Sequence, residues 1–181
     1  MYILLCHSKA TEQVLLQWIY MSAKEEQIEV KELVCDRGDF EEVLHKEAAD
    51  EALIGIVAFD NAGKTVLQVH DVPKMVINPV LSFSSEEEEK QVLCSATRFD
   101  RNNTWGVFSS EGDNETYYEK MHSYSSNLAL QFSNHINTAN ADMYLCGFLS
   151  DAVELKSQNR ELKGAKCLSA DILRHNHLAQ S

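Results

Sequence analysis

Two patterns of reactive residue types overlap where the most apolar run of the chain ends, in Ala58-Phe59-Asp60-Asn61-Ala62-Gly63-Lys64-Thr65. The first is a permissive phosphate loop with Ala58 in place of its opening glycine. There, backbone N–H groups would cradle phosphates beside Gly63, Lys64 would reach them, and the Thr65 hydroxyl would hold magnesium. The second is a nucleophile elbow, small–x–nucleophile–x–small, in which Ala58 and Ala62 let strand and helix backbones pass closely and Asp60 stands where a serine is usual. Its plain alternative is an exposed carboxylate capping the next helix. The elbow has company at other strand ends: His7-Ser8, Gly112-Asp113-Asn114-Glu115 and Asn134-His135. Nucleophile, acid, then histidine is a recurrent chain order for hydrolysis.

The elements that must position these groups follow from periodicity. Tyr2 to Cys6 and Leu53 to Phe59 are continuous apolar runs, the pattern of fully buried strands. Ile28 to Val34 alternates as a half-exposed edge strand does, and Lys74 to Ile77, Thr104 to Phe108 and Leu128 to Phe132 supply further strands. Between them, Thr11 is placed to cap a helix with Val14, Leu15, Trp18 and Ile19 on one core stripe. Further helices are expected over Phe40 to Ala52, through Val66, Leu67 and Val69, and over Met143 to Val153. The glutamates Glu86 to Glu89 suit the solvated first turn of another. Alternation of this kind predicts an α/β three-layer sandwich with a mostly parallel sheet, in one domain over residues 1–181, and places functional residues at the carboxyl ends of strands. The polar tail from about residue 154 has no evident place in the sheet.

Composition narrows the function classes. Sixteen Lys and Arg against 28 Asp and Glu give a net charge of −12, which argues against nucleic acid and against an anionic membrane surface. No apolar stretch reaches the roughly eighteen residues of a membrane helix, and no signal peptide is visible. The five cysteines (Cys6, Cys35, Cys94, Cys146, Cys167) are odd in number and unpaired in spacing, so reduced thiols in a cytoplasmic protein are expected, with no metal or other cofactor. His175-x-His177 is too sparse for a metal site by itself. His7 reads as a turn residue with a structural hydrogen bond. The partner expected is a small-molecule substrate, and nothing in the composition opposes a homo-oligomer.

Ile54 to Thr65 resembles the opening of a small GTPase, but Asn78-Pro79 stands where a magnesium-binding Asp is needed, and no DxxG or NKxD follows. A wider resemblance runs from residue 2 to about 150. Ile3-Leu4-Leu5-Cys6-His7, Gly55-Ile56-Val57-Ala58-Phe59-Asp60, Val76-Ile77-Asn78-Pro79-Val80, Gly112-Asp113-Asn114-Glu115, Asn134-His135 and Phe148-Leu149 resemble the small, lidless bacterial esterases of the α/β-hydrolase superfamily. The resemblance implies a minimal α/β-hydrolase fold with Asp60 in the nucleophile's place, Asp113 in the acid's and His135 in the base's. The backbone N–H groups of Asn61 and Ser8 would form the oxyanion hole. Two positions depart from the family: Ser8 replaces a glycine, and Asp60 replaces the serine. A carboxylate attacks alkyl carbons rather than esters, as the dehalogenases and epoxide hydrolases of the superfamily do. A catalytically inactive relative serving as a binding or assembly module, and a nucleotide-binding protein, are the alternatives.

Overall fold

The computed structural model describes the backbone of residues 1–99, 104–124, 128–136 and 139–179, and the side chains of these except 97–99 and 160–179. Twelve elements alternate strictly: β1 (Tyr2–His7), α1 (Gln13–Glu25), β2 (Glu29–Val34), α2 (Phe40–Ala48), β3 (Leu53–Phe59), α3 (Ala62–Val66), β4 (Lys74–Ile77), α4 (Glu86–Phe99), β5 (Thr104–Ser109), α5 (Asn114–Tyr124), β6 (Ala129–Ser133) and α6 (Ala139–Ala179). The six strands form one sheet in the order β2-β1-β3-β4-β5-β6, and every pairing is parallel. The expected α/β sandwich is therefore present, and the sheet is wholly parallel.

Strand alternation divides the core between the two faces. Leu4, Cys6, Ile56, Ala58 and Val76 face a layer with Phe40, Leu44, Val66, Leu93 and Met121, contributed by α2 to α5. Ile3, Leu5, Val57, Phe59, Met75 and Ile77 face Leu16, Ile19, Leu145, Phe148 and Leu149, from α1 and α6. The central strands β1, β3 and β4 are buried along their whole length because helices cover both sides.

Several elements differ from the sequence-based expectation. Thr11 does not cap α1: Glu12 holds that position without a side-chain cap bond, and the Thr11 hydroxyl is engaged elsewhere. The buried residues of α1 are Leu16, Ile19, Ser22 and Ala23, with Leu15 and Trp18 partly buried against the same core, whereas Val14 lies on the solvent side at 53% exposure. α2 stops at Ala48 and α3 at Val66. The late helix is far longer than Met143 to Val153, running over 41 residues as α6 and taking up the polar tail. The side chains of Cys167, His175 and His177 lie outside the described residues. Four cysteines, Cys6, Cys35, Cys94 and Cys146, are free thiols. Among the described residues no helix is long and apolar enough to cross a membrane.

Only Asp60 and Asn61 separate β3 from α3, so strand and helix turn sharply against each other. Gly63 makes this close approach: a Cβ there would lie 2.6 Å from Pro79 Cβ and 3.2 Å from its Cα. Gly63→Ala should cost about 1–3 kcal/mol through forced repacking, read as a melting temperature roughly 2–12 °C lower. Gly38→Ala, with no neighbour within 4 Å of the added carbon, is the control and should melt near the wild-type temperature.

Candidate functional site

β1 and β3 are neighbours, yet the chain leaves them in opposite directions. β1 runs through α1 to β2 on one side, and β3 through α3 to β4 on the other. α1 lies on one face of the sheet and α3 on the other, so the carboxyl ends of these two strands form a topological switch point, where the crevice of an open parallel sheet usually takes its ligand. Asp60 follows β3 on one wall, and the loop from His7 to Glu12 follows β1 on the other.

Asp60 takes the left-handed conformation at φ 52°, which Asp tolerates better than most residues. Its N–H donates to Ile77 O at 3.3 Å, and its carbonyl accepts the N–H groups of Gly63 at 3.2 Å and Val80 at 3.1 Å. The carboxylate is half-buried and does not cap α3; that position belongs to Asn61, which makes no side-chain cap bond. Asp60 Oδ2 instead accepts a 3.0 Å hydrogen bond from Thr11 Oγ1 across the crevice. Burial pushes the Asp60 carboxyl above its ordinary pKa, the Thr11 hydrogen bond pulls it back, and the negative charge of Glu12 adds to the rise. The Cys35 thiol at the end of β2 is pushed up chiefly by its own burial, with Asp36 and Asp60 contributing.

Thr11 is 8% exposed and also accepts the Ser8 N–H at 3.1 Å. One of the two expected oxyanion donors is thus already taken by a side chain. His7 ends β1 rather than lying in a turn, and its ring makes the expected structural hydrogen bonds: Nδ1 lies 2.9 Å from Ser8 O and Nε2 3.0 Å from Glu32 Oε1.

A cleft of about 370 Å³ is lined by Glu12, Leu15, Ser109, Glu111, His135 and Ile136, residues from the start of α1 and the ends of β5 and β6. Ser109 is fixed there by Asn78, whose Nδ2 donates to Ser109 Oγ at 3.0 Å and whose Oδ1 accepts the Ser109 N–H at 2.8 Å. His135 is exposed at the end of β6. Among the described residues no hydrogen bond or ion pair joins it to Asp60 or to Asp113. Asp113 is exposed just before α5, and the acids that share the cleft with His135 are Glu12 and Glu111. Asp60, Asp113 and His135 therefore all occupy carboxyl ends of strands without forming a bonded triad. Thr11, Glu12 and Glu111 are site residues that the motifs did not reveal.

The phosphate-loop residues are arranged differently from a phosphate cradle. A two-residue turn leaves no loop to wrap around an anion. Gly63 is explained by its contact with Pro79, and Thr65 lies within α3. Lys64 Nζ donates to Ser82 O at 3.1 Å and pairs with Glu88 at 2.6 Å. Among the described residues no group of three or more His, Cys, Asp or Glu side chains is placed to hold a metal ion. Comparison with protein-family models gives no match, and neither does comparison with curated proteins.

A carboxyl whose pKa is raised by folding stabilises the fold while protonated, and that contribution is lost as pH rises through the folded-state value. Asp60→Asn keeps the shape and the tolerance of φ 52° but has no charge to desolvate. It should melt higher than wild type at pH 7, by about 2–4 °C for each kcal/mol of relief. The difference should close on acidification through the carboxylate range, and a variant melting below wild type at pH 7 would contradict the assigned burial cost.

Proposed function

We propose that the chain is a hydrolase of the α/β-hydrolase type that works through a carboxylate nucleophile on small, neutral alkyl electrophiles such as epoxides or haloalkanes. The observation that carries this reading is the setting of Asp60, which is half-buried in the switch-point crevice and held by Thr11 rather than spent on capping α3. Acyl transfer builds negative charge on a substrate carbonyl oxygen and needs free donors to receive it, whereas the Ser8 N–H is occupied by Thr11. Displacement at a saturated carbon places the developing charge on the leaving group instead, and the resulting ester on Asp60 is cleaved by water. His135 is the base for that water, with Glu111 or Asp113 as the supporting acid. Glu12 and Glu111 in the cleft lining favour a neutral substrate over an anionic one, and the modest cleft suits a small one.

A non-catalytic binding module built on the same fold is the second reading. It is favoured by the exposed His135 ring, which has no hydrogen bond to Asp60 or Asp113 among the described residues. A panel of small epoxides and haloalkanes separates the two. The hydrolase should turn over at least one of them, and Asp60→Asn should abolish turnover. His135→Ala should instead accumulate an ester on Asp60, visible as a mass increase on that peptide. Folded protein giving neither turnover nor adduct across the panel would leave the binding module.

A further inference from the structure

We infer that Thr11 is the positioning residue of the site, a hydroxyl relay that carries the Ser8 N–H to one oxygen of Asp60 and leaves the other free to attack. This rests on the reading of Asp60 as a nucleophile. The relay has a defined direction. Thr11 Oγ1 accepts from the Ser8 N–H at 3.1 Å and donates its own hydrogen to Asp60 Oδ2 at 3.0 Å. A hydroxyl that accepts from a backbone amide becomes a stronger donor, since linked hydrogen bonds polarise one another. Thr11 is buried at 8% exposure, and its N–H closes the same turn on Ser8 O at 3.2 Å. Its β-branched side chain is therefore held in place on a short loop.

The consequence for Asp60 is chemical as well as geometric. A nucleophilic carboxylate must be ionised and must present one particular oxygen. Burial and Glu12 both favour the protonated form, and the Thr11 bond is the influence that favours the charge. With Oδ2 held, Oδ1 attacks the alkyl carbon, the bond from carbon to leaving group breaks, and an epoxide oxygen takes its proton from solvent. In the resulting ester Oδ2 is the carbonyl oxygen. Water then attacks Cγ, its proton passes to His135, and the charge that develops on Oδ2 meets the Thr11 hydroxyl already in place. Collapse breaks the bond from Cγ to the alkylated oxygen, the alcohol leaves with the proton from His135, and Asp60 is restored.

Thr11→Val removes the hydroxyl and keeps the branched shape, and Thr11→Ser keeps the hydroxyl. Carbon-detected NMR titration of the Asp60 carboxyl needs no substrate. It should show the midpoint moving up in Thr11→Val and returning toward wild type in Thr11→Ser. The rate at which a small reactive epoxide labels Asp60, followed by peptide mass, should fall about tenfold in Thr11→Val and recover in Thr11→Ser. An Asp60 midpoint and labelling rate unchanged in Thr11→Val would overturn the relay. A midpoint that responds while Asp60 takes no label even in the wild type would overturn the nucleophile instead, and with it the catalytic use of Thr11.

Discussion

The peptide unit of Asp60 is the joint on which the central part of this molecule depends. Its N–H is committed to β4 and its carbonyl to both α3 and the segment leaving β4. Its side chain is bonded to the loop after β1. Three neighbouring parts of the sheet thus share one residue in a left-handed conformation. A residue satisfied in this way cannot relax without releasing all of them, which is how a strained backbone persists at a site. The same residue carries a carboxylate that burial disfavours, so local destabilisation is concentrated where chemistry is expected and is compensated by the apolar layers on both faces.

The wholly parallel sheet explains why the site lies where it does. Each strand must be followed by a crossover helix, so all strand-to-helix turns gather at one edge of the sheet. The reversal of direction between β1 and β3 opens that edge at a single place. Asn78 and Ser109 fasten the ends of β4 and β5 to each other. The cleft containing His135 and Glu111 is thereby joined through Ser109 to the end of β4, the strand beside β3.

Much of this architecture was legible in the sequence because its signals are local. Continuous apolar runs disclosed β1 and β3, and Ala58 and Ala62 disclosed the tight turn between strand and helix. Gly63 entered only through the phosphate-loop pattern, and its contact with Pro79 was not foreseen. What escaped depends on distant partners. Thr11 stands just before a helix, where a hydroxyl usually caps, and nothing nearby in the sequence shows that its partner lies 49 residues away. On α1 only Val14 departs from the expected core stripe: Ile19 is buried and Leu15 and Trp18 pack partly buried against the core, and Val14 is as apolar as Leu16, so only packing against the sheet selects between them. α6 extends past its expected end because the tail beyond Val153 is mostly polar and carries no signal of a place in the sheet. The fold class was therefore readable, but the connections within the site were not.

The contact between Gly63 and Pro79 also bears on how the sequence can drift. Pro79 presses on the one face of α3 where a side chain would project, so the two positions form a single steric unit although they belong to different elements. A larger residue at either position is tolerated only when the other recedes, whereas Gly38, with open space around it, varies independently. In a lineage of such chains these two positions would change together, and the turn bearing Asp60 would keep its shape while the residues around it were exchanged.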